Sequence, residues 1–413
     1  MNKIILVALT SLALMLAAGS PVPAEVGVTD DEIHIGQWGP QSGPAAPWGA
    51  VARGTDAYFK MINAQGGIHG RKIVHHYFDD AYNPAKTKAG VKQLQEQEGM
   101  FCWVSGVGTA CGLAVRDYLM EQKIPWFGPS AGSRHWVDPP FKYLFNVYPL
   151  YLGDAQVLCQ YAVKEMDKKK IAIAYQNDDY GKQGLEGAAH QLAKYDMELI
   201  ETVPVSLTDT DMIPHVSKLK KAGADTVLLF VTPGHVARIM GTAKAMQFDP
   251  QWMSTTTCAD FPLMMNITKG AYEGVITASF GVIDPSGKVG QVLRMESPSD
   301  LLKKYKEEAF DKFAAKDERW SYTFCAGIAY AEPLVQALEE CGRDLTREKL
   351  VQALEELDDF KGLMGEVQYE PFDPDDPLCR VGQSEVFLQQ CTADGGSKIL
   401  TDWVKTTYLP REE

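Results

Sequence analysis

The chain has 413 residues, 45% of them hydrophobic, and its 54 Asp and Glu against 40 Lys and Arg give a formal charge of −14. That acidity argues against nucleic acid and against anionic membrane surfaces as partners. The composition is otherwise that of an ordinary globular protein.

The N-terminus reads as an export signal. Met1-Asn2-Lys3 precedes an apolar run from Ile4 to Ala18, and Val22-Pro23-Ala24 offers small residues at the −3 and −1 positions for cleavage after Ala24. A charged start, an apolar stretch and a small-x-small site together make a secretory signal peptide. The run is shorter than the about 20 residues a membrane span needs. About 390 residues remain, enough for two or three domains at ~150 residues each.

From Glu32 onward, strand-like and helix-like segments alternate. Strands are predicted at Ile33–Trp38, Ile73–Phe78, Phe101–Val107, Pro125–Gly128 and Tyr143–Val147, with helices over Val51–Ala64, Pro84–Glu98 and Cys111–Gln122. The pattern then restarts, with strands at Ile171–Gln176, Leu199–Val205, Thr226–Val231, Gln251–Ser254 and Gly274–Phe280. Helices over Gly181–Tyr195, Met212–Ala222 and Val236–Gln247 separate them. Alternation of this kind builds βαβ units around a mostly parallel sheet. Two such sets predict an α/β protein of two doubly wound lobes with a cleft between them, where ligands bind beyond the carboxyl ends of the strands. After Phe280 the pattern turns helical (Ser299–Ala315, Ser321–Glu340, Thr346–Leu357) and ends in short β-like pieces, Gly365–Tyr369 and Ser384–Gln390.

The eight cysteines contain no C-x-x-C pair, so neither zinc nor a redox motif is signalled. Cys379 and Cys391 flank one β-like segment and are candidates for a disulfide in an oxidising compartment. Cys102, Cys159, Cys258 and Cys325 sit in apolar contexts and read as small core residues. No H-E-x-x-H metal site and no G-x-S-x-G nucleophile elbow occurs.

The stretch Ser105-Gly-Val-Gly-Thr-Ala-Cys-Gly112 nearly spells a dinucleotide loop, but Cys111 stands where the third glycine belongs. The following strand ends in Trp126-Phe127-Gly128-Pro129-Ser130, with no acid for a ribose. The alternative is a helix N-terminus whose backbone N–H groups and partial positive charge hold a carboxylate without a basic residue. Thr109 would add its hydroxyl, and Ser130-Ala-Gly-Ser133 is a second hydroxyl-rich turn of the same kind. Capping hydroxyls on two plain turns would look the same in sequence.

Gln41-Ser-Gly-Pro44, Trp48-Gly49, Ile62-Asn-Ala-Gln-Gly-Gly-Ile-His-Gly-Arg71 and Asp79-Asp-Ala-Tyr-Asn-Pro84, in that order, resemble the opening of the type I periplasmic binding proteins. The similarity is greatest to the leucine/isoleucine/valine-binding group that serves ABC importers. It continues through Asp179-Tyr-Gly181, Leu219–Asp225 and Met364-Gly365 and covers the whole mature chain. The resemblance implies two lobes joined by three hinge strands, residues 25–146 with 282–362 and residues 147–281 with 363–413, following a signal peptide at 1–24. It implies a monomer in the periplasm that hands a small carboxylate or amino acid to an inner-membrane ABC permease, with no cofactor and no catalysis. A ligand-sensing ectodomain or an amide-responsive regulator is the alternative on the same fold.

By position, the resemblance assigns ligand binding to Trp48, Thr109, Ala110, Ser130, Gly132, Tyr180, Thr232 and Thr256. Three positions depart from the family, and Thr232 is one, standing where an aromatic often closes the pocket. Gly132 replaces a usual threonine, unless Ser133 substitutes for it. Thr256 stands where amino-acid binders carry the acid that holds the ligand ammonium. An unpaired ammonium in a closed cleft is costly, so an acid with an uncharged tail, aromatic or aliphatic, is expected unless Asp260 or Asp209 reaches in. Tyr322 and Phe324 are further candidates for the apolar wall.

Overall fold

The computed structural model describes residues 25–281, 298–357 and 360–408; the signal segment 1–24 lies outside them. A first parallel sheet runs in the order β2-β1-β3-β4-β5, from β1 (Glu32–Gly39), β2 (Lys72–Asp79), β3 (Cys102–Val104), β4 (Trp126–Phe127) and β5 (Leu144–Phe145). Helices α1 (Ala50–Ala64), α2 (Pro84–Gln97) and α3 (Thr109–Glu121) connect its first four strands. β3, β4 and β5 are fully buried, as expected where helices cover both faces of such a sheet, whereas the edge strand β2 is half-exposed.

The second sheet is built on β6 (Ile171–Gln176), β7 (Glu201–Val205), β8 (Thr226–Phe230), β9 (Gln251–Ser254) and β10 (Ile276–Ser279), all parallel. Helices α4 (Tyr151–Lys164), α5 (Asp179–Ala193), α6 (Ile213–Ala222), α7 (Pro233–Ala245) and α8 (Phe261–Ile267) accompany it. Further helices are α9 (Pro298–Tyr305), continued by a π turn and a short helical turn to Phe313, α10 (Tyr322–Cys341) and α11 (Arg347–Glu355). They precede a hairpin of β11 (Lys361–Gly362) and β12 (Gly365–Glu366). The chain then returns to the second sheet as β13 (Glu385–Cys391), antiparallel to β10, with β14 (Ser397–Ile399) and β15 (Val404–Lys405) on its far side.

The chain thus passes between the sheets three times: after β5, between β10 and α10, and between α11 and β13. Helix α10 packs along α1, where Gly54 and Gly327 allow backbones to touch. A Cβ on Gly54 would lie 2.0 Å from the Phe324 carbonyl oxygen, and one on Gly327 1.9 Å from that of Val51.

Two expectations are corrected. All eight cysteines are free thiols. Cys379 sits in a short 3-10 turn, and Cys391 stands at the far end of the seven-residue strand β13, about 20 Å from its start; no disulfide joins them. Helix α4, absent from the sequence reading, follows directly on the first crossing. Its first nine residues are all buried, so it shows no polar face and no 3.6-residue alternation.

Candidate functional site

The glycine-rich stretch forms the turn from β3 into α3. Gly108 is the N-cap of α3, with φ +104°, and supplies no side chain to cap it. The first-turn N–H groups therefore keep their partial positive charge with no intrahelical acceptor. Gly112 packs one turn later against tryptophans; a Cβ there would sit 2.6 Å from Trp136 and 2.7 Å from Trp126. These glycines serve close packing beneath a helix N-terminus.

That terminus borders a cavity between the two lobes. The first lobe contributes Trp48, Tyr82, Val107, Gly108, Ser130 and, from α10, Tyr322, Thr323 and Tyr330; the second contributes Tyr180, Thr256 and Thr257; Tyr148 and Tyr151 come from the first crossing. Among the described residues that line it there is no Lys, Arg, Asp or Glu. Burial pushes the phenols of Tyr82, Tyr148, Tyr180 and Tyr330 well above their ordinary values, so they stay neutral. The hydroxyls of Tyr322 and Thr109 are buried without a hydrogen-bond partner.

The lobes are held together around this space. Trp48 Nε1 donates to the Thr257 carbonyl at 2.9 Å. Asp260 Oδ2, at the start of α8, accepts from Thr323 N and Oγ1 at 3.1 and 2.9 Å. On the other flank Gln183 of α5 accepts from Arg134 N at 2.8 Å and donates to Ser133 Oγ at 2.9 Å, and Arg134 pairs with Glu186.

Of the residues singled out from sequence, Trp48, Ser130, Tyr180 and Thr256 line the cavity. Thr109 and Ala110 begin α3 beside Gly108. Gly132 lies behind the wall: its carbonyl accepts from Tyr151 N at 2.7 Å, and a Cβ would sit 2.1 Å from the Pro149 carbonyl oxygen. A threonine has no room there. Ser133 is occupied by Gln183. Thr232 is placed off the lining, as the N-cap of α7 with its hydroxyl 2.7 Å from His235 Nδ1. Phe324 packs with Phe310 and Trp320 instead, and Asp209 pairs with His215 at 3.1 Å.

Sequence reasoning missed Tyr82, Tyr148, Tyr151, Tyr330 and one acid, Asp154. Asp154 is fully buried; it accepts from Thr256 N and Oγ1, and burial pushes its carboxyl up to about 7. A signal for it existed: it is the single charged residue between Leu144 and Val163.

The family model described as periplasmic binding protein matches residues 32–390, and the chain belongs to that family. It is 26% identical over 368 residues to the Leu/Ile/Val-binding protein homolog 1 of Brucella melitensis, covering 87% of this chain and 90% of that one. With homolog 3 of the same organism it shares 29% over 197 residues, 48% of this chain and about half (53%) of the relative's length. The leucine-specific-binding protein of Salmonella typhimurium is 22% identical over 251 residues, 60% of this chain and 68% of that one. Among solved structures, a branched-chain amino acid ABC transporter protein from Thermus thermophilus with bound valine superposes with a TM-score of 0.79 at 17% identity, covering 92% of this chain and 98% of that one. A fatty acid ABC transporter substrate-binding protein from Thermomonospora curvata gives 0.78 at 23% identity, with 93% and 95% covered. These likenesses show the two-lobed α/β fold. Among the described residues no helix is long and apolar enough to cross a membrane.

Proposed function

We propose that this protein is the solute-binding component of an ABC importer, exported to the periplasm, and that it holds a small carboxylate with an uncharged aromatic or aliphatic body. The lobes are residues 25–146 with 282–362 and 147–281 with 363–413, and the ligand works by favouring their closed arrangement through contacts made by both. The observation that carries this reading is the cavity itself: an aromatic wall, no charged side chain among its described residues, and the uncapped start of α3 at its edge. A carboxylate lies against first-turn N–H groups and the Thr109 and Ser130 hydroxyls. Its body meets Trp48 and Tyr180, and Thr256 closes from the second lobe. Thr232 and Gly132 act behind the wall. In this reading the protein is a monomer that binds its ligand without turning it over.

The names of the relatives favour a second ligand, a branched-chain amino acid, with the same carboxylate end. Thermal-shift measurements separate the possibilities, using 3-phenylpropionate, 4-methylpentanoate, leucine and the neutral 3-phenylpropanamide. The acids are expected to raise the melting temperature and the amide to leave it unchanged. An amide shift equal to that of its acid would end the carboxylate reading, and a larger shift with leucine than with 4-methylpentanoate would favour the amino acid.

A further inference from the structure

The wall of the cavity sets Tyr148 beside Thr256, and the group behind them has no role in the function proposed above. Asp154, in α4, is fully buried. Its Oδ2 accepts from Thr256 N at 3.1 Å and from Thr256 Oγ1 at 2.8 Å, while Oδ1 has no partner. Among the described residues no cation pairs with it.

This arrangement decides the direction of the neighbouring hydrogen bonds. A carboxylate oxygen only accepts. The single proton of the Thr256 hydroxyl therefore goes to Asp154. In the 2.9 Å contact between Tyr148 and Thr256 the phenol must be the donor. With its proton committed to Thr256, the Tyr148 oxygen offers only lone pairs to the cavity it lines. The Tyr322 hydroxyl in the same wall lies near Ser279 but makes no hydrogen bond within normal geometry, so its proton can be given to a ligand. A group that both gives and accepts one hydrogen bond fits between these two demands.

We propose that Asp154 is a specificity-determining positioning residue: acting through Thr256, it fixes the Tyr148 hydroxyl as an acceptor, so that the site favours an acid carrying a neutral hydroxyl in addition to its carboxylate. The inference rests on the carboxylate reading and deepens it. A hydroxyl is preferred over an ammonium because the wall itself holds no carboxylate; the charge of Asp154 is one residue removed. An ammonium would exchange its hydration for neutral oxygens in a closed space. An acid without any second polar group leaves the Tyr148 oxygen buried and unmatched, which lowers its affinity about tenfold.

The test is calorimetric titration at pH 8.5, where the Asp154 carboxyl is ionised, with 3-phenylpropionate, its 4-hydroxyphenyl and 2-hydroxy forms, and phenylalanine. One hydroxylated acid is expected to bind at least about tenfold tighter than 3-phenylpropionate. Asp154→Asn should keep that ratio, since the Thr256 N–H holds an amide with its oxygen toward Thr256. Asp154→Leu and the near-isosteric Tyr148→Phe should bring it close to one. A uniform loss of affinity cancels in the ratio, so a merely structural role for Asp154 would not move it. Should Asp154→Leu fail to fold, Thr256→Val interrupts the same chain. A wild-type ratio near one, a ratio that survives Asp154→Leu and Tyr148→Phe, or phenylalanine binding more tightly than both hydroxylated acids would overturn the proposal. Binding of none of the four would overturn the carboxylate reading along with it.

Discussion

Glu332 offers the sharpest test of the energetics of this fold, because a buried carboxyl there ties the third crossing to the first lobe. It lies in α10, accepts from the Tyr305 hydroxyl at 2.6 Å and from Leu363 N at 2.7 Å, and pairs with no cation among the described residues. Burial pushes its carboxyl from 4.5 up to about 7. The folded protein therefore holds a proton that the unfolded chain has already released. The resulting stability is fully present below pH 4.5 and is lost as pH rises through 7. Replacing Glu332 by Gln imitates the protonated form: the amide oxygen can accept from Leu363 N and the amide NH2 can donate to Tyr305. The 2.5-unit difference corresponds to about 3 kcal/mol. Glu332→Gln should thus stabilise the protein by about 3 kcal/mol at pH 8 and by less than about 1 kcal/mol at pH 5. Urea unfolding of both proteins at the two pH values measures this. An equal gain at both pH values, or a loss at pH 8, would refute the argument that the charged form is the one the fold resists.

Other outcomes follow from the site. Trp48→Phe removes the hydrogen bond to Thr257 across the cleft and should weaken ligand binding by about 1 kcal/mol, roughly fivefold by calorimetry. Thr109→Val keeps the shape of a side chain whose buried hydroxyl lies near the Tyr151 phenol but makes no hydrogen bond within normal geometry. It should cost an acid ligand about 1.5–3 kcal/mol while leaving the melting temperature of the free protein within a degree or two; an unchanged affinity would remove Thr109 from the site. Gly132→Thr restores the residue usual in the family but drives a Cβ to 2.1 Å from the Pro149 carbonyl. It should destabilise by about 2 kcal/mol or more, read as a lowered melting temperature.

Much of the fold was legible because its signals are local. Apolar runs such as Cys102-Trp-Val104 and Thr226–Phe230 are buried on both faces and announce themselves without alternation. Helix starts such as Asn83-Pro84 and Ser321-Tyr322 carry their own caps. The helix N-terminus after the glycine-rich turn was visible too, though read at Cys111 and not at Thr109, as were Trp48 and Tyr180 in the cavity wall. Helix α4 was not, since complete burial erases the polar face by which a helix is recognised, and Tyr151 and Asp154 went unread with it.

What the sequence determined by itself is the order of elements, the two sets of βαβ units and the chemistry of the turns, all of which depend on residues within about a dozen positions of one another. The tertiary structure alone decided which side chains share the cleft. Tyr82, Tyr148, Tyr180 and Tyr330 come from segments far apart in the chain, and their meeting is fixed by how two sheets close on each other. It also decided that Gly132 has no space for a threonine and that an acid stands behind Thr256. Both are consequences of close packing between chain segments, a property that no local pattern encodes.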